Sequence, residues 1–143
     1  MTVINRSALV PFSAESMFNL VDDISAYPEF LPWCKATNIH DRDLQEVVAS
    51  IEMAKAGINK TFTTRNVMSG FEKIEMRLVD GPFESLEGCW RFEALSANAC
   101  KISLDIEFEF SNKLMSLSIG PVFSQICNSL VNAFVSRAQE KYG

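Results

Sequence analysis

One segment of the chain, residues 100–110, alternates between apolar and polar side chains along its whole length. Its apolar members are Cys100, Ile102, Leu104, Ile106, Phe108 and Phe110. Its polar members are Lys101, Ser103, Asp105, Glu107 and Glu109. Because successive side chains of a strand point to opposite faces, this pattern predicts a long antiparallel strand with one face in water. The other face needs a large apolar partner.

The C-terminal part of the chain offers an apolar surface that fits this role. Gly120 and Pro121 predict the opening of a helix that continues to about Lys141. Its apolar stripe, which is wider than a single groove requires, consists of Val122, Phe123, Ile126, Cys127, Leu130, Val131, Phe134 and Val135. We therefore expect one broad helix to cover the dry face of one curved sheet.

The N-terminal part of the chain predicts a strand followed by two short helices. Residues 2–9 have the pattern of a first strand, which Pro11 ends. Ser13 is a suitable N-cap for a short helix that runs to about Val21. A second helical turn is expected over residues 22–26.

Further strand segments begin near Ala36 and precede the long alternating strand. They are centred on residues 45–54, 60–68, 74–78 and 86–92, and the turns between them contain Ala56 to Asn59, Ser69-Gly70 and Asp80-Gly81-Pro82. Gly88 lies inside the last segment and indicates either a bend or a close approach of another group. The predicted fold class is α+β, with about seven antiparallel strands curved around a long C-terminal helix.

Length and charge exclude several classes of protein. A chain of 143 residues is the size of one ordinary domain, so we expect a single domain over residues 1–143. The net charge of −5 opposes general nucleic-acid binding, because phosphate contacts dominate such affinity, and DNA is not an expected partner. The sequence has no signal-peptide pattern and no run of roughly 18 apolar residues, which predicts a cytoplasmic protein.

Few residues offer catalytic or metal chemistry. Cys34, Cys89, Cys100 and Cys127 are far apart and form no C-x-x-C pair, so a zinc site is not expected. His40 is the single histidine, and a catalytic triad or metal centre would have to be built around it. Most carboxylates lie on predicted wet faces, which disfavours a buried acid pair. We expect a protein with no catalytic or metal-binding residues, and therefore not an enzyme.

Residues 27–34, YPEFLPWC, combine several large apolar side chains with two prolines. Pro28 and Pro32 each fix φ and remove a backbone donor, so the stretch is predicted to be a stiff loop. Its apolar groups either plug the core under the loop or contact a ligand or a membrane. We favour the second alternative, in which Phe30 and Trp33 form the rim of an opening between the sheet and the C-terminal helix.

Several blocks of the sequence resemble one known family, and they occur in the order typical of it. The blocks are YPEFLPWC (27–34), KAGINKTFTTRN (55–66), LVDGPFESLEGCWRF (78–92), LDIEFEF (104–110) and NAFVSRAQEKYG (132–143). They resemble the ribosome association toxins called RatA and the related coenzyme Q-binding proteins, which belong to the START-like, polyketide cyclase-type superfamily. The resemblance implies a helix-grip fold in which the curved sheet wraps around the C-terminal helix.

The resemblance also implies two different activities. Coenzyme Q-binding relatives hold ubiquinone or a related polyisoprenoid lipid and support respiration, without catalysis. The RatA toxins of type II toxin–antitoxin systems bind the large ribosomal subunit and block subunit association and translation initiation. We take binding of a hydrophobic ligand as the main interpretation, with ribosome binding as the alternative. No cofactor is expected to be required, although ubiquinone could be bound, and the protein could also touch the inner membrane peripherally.

Both interpretations select candidate residues. The ligand-binding candidates, any of which could instead be an ordinary core residue, are Phe30, Leu31, Trp33, Phe62, Met76, Trp90, Phe92, Val122, Phe123, Ile126, Leu130 and Phe134. The ribosome-binding candidates are Lys55, Lys60 and Arg65, which place positive charge around a predicted hairpin in an otherwise acidic chain. Lysines at a strand edge can also serve only to prevent strand pairing. Arg137 and Lys141 are explained by the dipole of the last helix.

Overall fold

A computed structural model describes residues 1–143 as one antiparallel sheet with helices on one side. In chain order the elements are β1 (Thr2–Val10), α1 (Ala14–Asp22), a 3-10 helix (Ile24–Glu29), β2 (Cys34–Arg42), β3 (Glu46–Lys55), β4 (Ile58–Ser69), β5 (Lys73–Asp80), β6 (Phe83–Ser96), β7 (Ala99–Phe110) and α2 (Lys113–Tyr142). This arrangement confirms the predicted α+β helix-grip architecture, with seven strands and two short helices after the first strand.

The sheet has the strand order β1-β7-β6-β5-β4-β3-β2. Strands β2 to β7 follow each other as antiparallel neighbours, while β1 pairs with β7 at the opposite edge. The alternation predicted for β7 is present, since its even-numbered residues are buried under α2. We call this buried surface the inner face of the sheet and the opposite surface the outer face. The helix packs mainly against β1 and β7.

The hairpin between β3 and β4 has a shorter turn than the predicted one over residues 56–59. Ile58 already pairs with Lys55, and Asn59 with Ala54, so only Ala56 and Gly57 form the turn. Their φ angles are 53° and 80°, the left-handed values that a tight two-residue hairpin turn requires.

Helix α2 begins earlier than predicted, and the prediction that Gly120 and Pro121 open it is wrong. The helix starts at Lys113, where the side chain of Asn112 accepts a hydrogen bond of 2.9 Å from the Met115 backbone nitrogen. Pro121 lies inside the helix, where it removes one backbone hydrogen bond and crowds the preceding turn, so the packing of α2 on the sheet must offset its cost. On length and composition α2 could span a membrane, and its apolar stripe packs on the sheet.

The YPEFLPWC stretch is only partly the irregular loop that was predicted. Tyr27, Pro28 and Glu29 end the 3-10 helix, which replaces the helical turn expected over residues 22–26, and Cys34 begins β2. The fixed φ of proline is compatible with 3-10 geometry, which explains why Pro28 is accommodated. Residues 30–33 are the irregular part.

Candidate ligand site between the sheet and the long helix

A small cavity lies between the inner face of the sheet and α2. Its volume is about 80 Å³, and most of the side chains around it are apolar. The sequence-predicted residues that line it are Trp33, Phe62, Met76, Trp90, Phe123, Ile126, Leu130 and Phe134. Ile51, Phe62 and Leu130 are only half-buried, so the cavity approaches solvent between β3, β4 and α2.

Four of the predicted ligand residues do not line this cavity: Phe30, Leu31, Phe92 and Val122. Leu31 is buried in the core, and Phe92 lies behind Trp90 with the two ring centroids 6.4 Å apart. Val122 is half-buried on α2. Phe30 packs its ring edge-on to Phe134 outside the cavity, with the ring centroids 5.3 Å apart.

Several lining residues were not predicted from the sequence. They are Ile24, Tyr27, Ala49, Ile51, Thr64, Asn66, Leu86, Gly88, Ile106 and Cys127. The sequence does contain a signal for two of them. Thr64 and Asn66 occupy inward positions of β4, in register with buried Ala49 and Val47 of β3, where an alternating strand normally carries apolar groups.

Thr64 and Asn66 are the polar residues among the buried side chains of the protein, with exposed fractions of 7% and 8%. The Thr64 hydroxyl donates a hydrogen bond of 2.8 Å to the Asn66 side-chain oxygen. Buried polar groups are normally paired, because an unpaired donor in an apolar interior lowers stability. A polar pair facing an aromatic cavity is the arrangement that orients a bound molecule.

Gly88 allows a close approach on the floor of the cavity. It pairs with Met76 on β5 and with Ile106 on β7. A Cβ atom at Gly88 would lie 2.6 Å from the terminal methyl of Met76, so the methionine occupies the space that a side chain would fill. Of the two explanations offered by the sequence, a bend or a close approach, the structure shows a close approach.

Glu29, Phe30 and Arg137 contact one another outside the cavity, at the C-terminal half of α2, and we call these three side chains the latch. The Arg137 guanidinium lies 4.9 Å from the centroid of the Phe30 ring, and its Nη2 atom lies 2.9 Å from Glu29 Oε1. Arg137 therefore has a specific partner beyond the helix dipole. The latch holds the loop after the 3-10 helix against α2.

The apolar residues beneath the latch behave as a plug. Tyr27, Leu31 and Trp33 are buried, whereas Phe30 is half-buried. The Tyr27 hydroxyl donates to the Val21 carbonyl, and burial raises the pKa of this phenol above its ordinary value, with a smaller effect from Asp22. The YPEFLPWC stretch thus combines a buried plug with one residue, Phe30, at the surface.

Comparison with known proteins assigns the chain to a family. The model of the family "Polyketide cyclase / dehydrase and lipid transport" matches residues 10–135. A ribosome association toxin RatA of Vibrio cholerae is 48% identical over 143 residues, which are 100% of this chain and 99% of that protein. The chain belongs to the RatA group of this family.

More distant relatives of this RatA-group protein have other names. A mitochondrial coenzyme Q-binding protein of Drosophila melanogaster is 25% identical over 142 residues, covering 96% of this chain and 59% of that protein. A START superfamily protein of Mycobacterium smegmatis has 19% identity and a TM-score of 0.81, with 96% of this chain and 97% of that chain covered. The Zhui aromatase/cyclase of Streptomyces has 16% identity and a TM-score of 0.83, over 99% and 96%. The two structures share the fold.

The three basic residues predicted for ribosome contact do not form one patch in this RatA-group protein. Lys60 pairs with buried Met53, which places it on the inner face of β4, whereas Arg65 points to the outer face. Lys60 and Arg65 are five positions apart along the strand, which is about 17 Å. Arg65 forms an ion pair with Glu46, while Lys55 and Lys60 form none.

The two side chains most suited to catalysis, a histidine and a cysteine thiol, lie outside the cavity or stay protonated inside it. His40 is on β2, and its Nε2 atom lies 2.6 Å from the exposed-side hydroxyl of Ser50. Cys127 lines the cavity, and burial raises the pKa of its thiol to about 12. Because a thiol reacts as the thiolate, Cys127 is a poor nucleophile at neutral pH.

Proposed function

We propose that this RatA-group protein binds a hydrophobic molecule of the quinone or polyisoprenoid lipid class in the cavity between the sheet and α2, without chemically changing it. The observation that carries the proposal is the cavity itself, with its aromatic wall and one buried polar pair, Thr64 and Asn66. The name of the Drosophila relative, a coenzyme Q-binding protein, supports ubiquinone as the ligand. The role would be to support respiration from the cytoplasm and the surface of the inner membrane.

Binding of such a molecule requires the cavity to expand. Pockets for small molecules usually measure about 300–1,000 Å³, and this cavity measures about 80 Å³. The flexible side chain of Met76 and the half-buried Leu130 can change rotamer. Since α2 packs mainly against β1 and β7, the side facing β3 and β4 is where the helix can separate from the sheet.

The chemistry of the cavity supports binding over catalysis. The family includes polyketide cyclases by its description, but relatives that are 44–48% identical to this chain are named toxins. The polar residues Thr64 and Asn66 do not ionise in the physiological pH range, and the Cys127 thiol stays protonated. The residues that line the cavity therefore supply no general acid or base.

The test is to purify the protein from its native host, extract it with organic solvent and identify bound molecules by mass spectrometry. Leu130→Trp should fill the cavity and reduce the amount of bound lipid by at least about tenfold, because the larger ring occupies the ligand space. Leu117→Trp is the matched control, since Leu117 is on the same helix but exposed. Equal lipid content in wild type and Leu130→Trp, with both folded, would refute binding in this cavity.

We also propose a second function, binding of the large ribosomal subunit as the toxin of a type II toxin–antitoxin system, with inhibition of subunit association and translation initiation. The observation that favours it is the 48% identity to a ribosome association toxin along the whole chain. The candidate contacts are Lys55 and Lys60, whose charges are free, with Arg65 contributing less because Glu46 neutralises it.

Co-sedimentation with purified large subunits tests this second function. Lys55→Gln combined with Lys60→Gln should weaken binding and make it less sensitive to salt. The slope of the logarithm of the binding constant against the logarithm of the salt concentration should fall in magnitude by about one to two, because each phosphate contact releases a counterion. Lys113→Gln is the matched control, because Lys113 is an exposed lysine at the start of α2 and is not a candidate contact. Sedimentation of the double variant that equals wild type at every salt concentration would rule out the hairpin as the contact.

A membrane contact through the latch is a further part of the proposal. Phe30 is the half-buried aromatic residue of the YPEFLPWC stretch, and it can reach a bilayer only after Arg137 releases it. Phe30→Ala should then reduce binding to vesicles that contain quinone. Trp33→Ala is unsuitable for this test, because Trp33 is buried and its loss destabilises the fold.

A further inference from the structure

We infer that Asn66 recognises a hydrogen-bond-accepting oxygen on the bound molecule, so that the cavity selects a neutral ring with carbonyl groups over a hydrocarbon of the same shape and over a fatty acid. This inference rests on the proposed binding of a hydrophobic molecule in the cavity. It adds the chemical feature by which the site distinguishes one such molecule from another.

The first step of the argument is the orientation of the Asn66 amide. The Thr64 hydroxyl donates to the amide oxygen of Asn66 over 2.8 Å, which directs that oxygen toward Thr64. The amide nitrogen, which carries two N–H donors, has no hydrogen-bond partner in the protein. Thr64 is therefore a positioning residue that turns the donor end of Asn66 away from itself.

The second step is the surroundings of that donor end. Asn66 is 8% exposed and lines the cavity. Its cross-strand neighbours are Val47 on one side and Met76 on the other, and neither side chain can accept a normal hydrogen bond. The Asn66 amide nitrogen keeps some accessible surface, since the fully buried side-chain atom without a hydrogen-bond partner is Ser85 Oγ. Because Asn66 lines the cavity, water or a ligand there can accept from this donor.

The third step is the charge of the site. None of the side chains that line the cavity is ionised at neutral pH, since the lining lacks Asp, Glu, Lys, Arg and His, and burial raises the pKa values of Tyr27 and Cys127. A carboxylate or phosphate buried here would have no counterion, which is strongly unfavourable. The site therefore fits a neutral molecule that offers acceptor oxygens.

The fourth step is the shape of the wall. Trp90 and Phe134 line the cavity with their ring centroids 5.3 Å apart. Nearer the N-terminus of α2, the ring centroids of Phe62 and Phe123 are 5.9 Å apart. Aromatic groups of this kind pack well against a flat ring. A ring carbonyl that accepts from Asn66 would place such a ring against this wall, which is the chemistry of a quinone head group.

The test compares duroquinone with durene, a benzene that carries the same four methyl groups but lacks the two carbonyl oxygens. Binding of each is measured by equilibrium dialysis to the full chain. In Asn66→Leu, the preference for duroquinone relative to durene should fall about tenfold, which is the usual worth of one buried hydrogen bond. Asn59→Leu is the matched control, because Asn59 is exposed on the same strand.

Each outcome has a separate meaning. If both molecules bind wild type and the preference is the same in Asn66→Leu, the inference is wrong, while binding of hydrophobic molecules in the cavity stands. If neither binds wild type, both the inference and the proposed function fail for this class of molecule. A fatty acid that binds as tightly as duroquinone, with Asn66→Leu reducing neither, would also overturn the inference.

A measurement on wild-type protein covers the case in which Asn66→Leu does not fold. In a nitrogen-15 NMR spectrum, duroquinone should shift the side-chain NH₂ signals of Asn66 more than durene does. Equal shifts with the two molecules would overturn the inference. Thr64→Val should reduce the preference by a smaller factor, roughly threefold, because it frees the amide to rotate without removing the donor.

Discussion

The two ends of α2 are held to the rest of the molecule in different ways. At the C-terminal half, Phe134 is 1% exposed and its ring lies edge-on to Tyr27 and Trp90, and Arg137 closes the latch. In the first two turns, Leu114 and Leu117 are 73% and 68% exposed. The same helix is thus a core element at one end and a weakly packed one at the other.

This difference predicts which part of α2 contributes most to the stability of the fold. The packed half supplies the buried apolar area that stabilises the helix on the sheet. The first turns contribute little burial, so they can move at a small cost in free energy. We therefore expect substitutions in the packed half to lower global stability strongly, and substitutions at exposed positions of the first turns, such as Leu117, to change it little.

The largest expected effect is that of Phe134→Ala. Removing this ring should lower the free energy of unfolding by about 3–5 kcal/mol, because the cavity that remains adds to the lost burial. Leu117→Ala should lower it by less than about 0.5 kcal/mol, as expected of an exposed position. Urea unfolding followed by circular dichroism measures both. Similar losses for the two variants would show that the helix is held uniformly.

A pH dependence is the next expected effect, and it comes from thiols at the packed half. Burial raises the pKa of Cys127 to about 12, and burial is also the main reason why the pKa of Cys34 is raised to about 11. Above pH 9 the unfolded thiols lose protons that the folded ones keep, so the unfolded state binds fewer protons and stability falls as pH rises. The stabilisation that comes from keeping these thiols protonated is fully present below pH 9 and is lost as the pH approaches 11 to 12.

Urea unfolding between pH 7 and pH 11 measures this slope. Cys127→Val should make the decline between pH 9 and pH 11 shallower, because it removes one of the responsible thiols. Cys89→Val is the comparison on the outer face of the sheet. Burial also raises the pKa of this half-buried thiol, but by less, so the decline should change less than in Cys127→Val. A slope that is unchanged in Cys127→Val would show that other groups cause the alkaline loss.

Much of the fold could be predicted from patterns of side chains, and each wrong prediction has its cause in one region of the chain. The alternation over residues 100–110 and the stripe on α2 were sufficient to predict the sheet and its covering helix, since both depend only on periodicity. The predicted start of α2 is wrong because the prediction takes Pro121 as the opening of the helix, whereas the structure has the N-cap at Asn112. Proline tolerance inside a helix depends on packing that a local pattern does not contain.

The candidate site was harder to predict than the fold. Large aromatic residues of the wall, such as Trp90 and Phe123, could be selected from their inward positions. Thr64 and Asn66 are not among the predicted residues, because the prediction selects large apolar side chains. Their inward register on β4 follows from that of Phe62 on the same strand. The latch depends on the distance between residues 29 and 137, which no local pattern reports.

Arg137→Met tests the latch itself, with a smaller expected effect. The substitution keeps much of the aliphatic bulk but removes the ion pair with Glu29 and the contact of the guanidinium with Phe30. Stability should fall by about 1 kcal/mol, and a bound ligand should exchange faster. Arg77→Met is the control, since its ion pair with Glu87 is exposed on the outer face. Equal rates of ligand exchange in both variants would show that the latch does not control the access of a ligand to the cavity.

The smallest expected effect lies in the turn at the tip of the β3–β4 hairpin. Ala56 has a φ of 53°, a left-handed value that alanine adopts at a cost, and it precedes Gly57 in a two-residue turn. Ala56→Asn creates the Asn-Gly pair that such turns prefer and should raise stability by about 0.5 kcal/mol. Because the substitution leaves Lys55 and Lys60 in place, ribosome binding should be unchanged. A gain in thermal stability accompanied by weaker ribosome binding would show that the tip must flex to bind, which would make the hairpin, like the first turns of α2, a mobile part of the molecule.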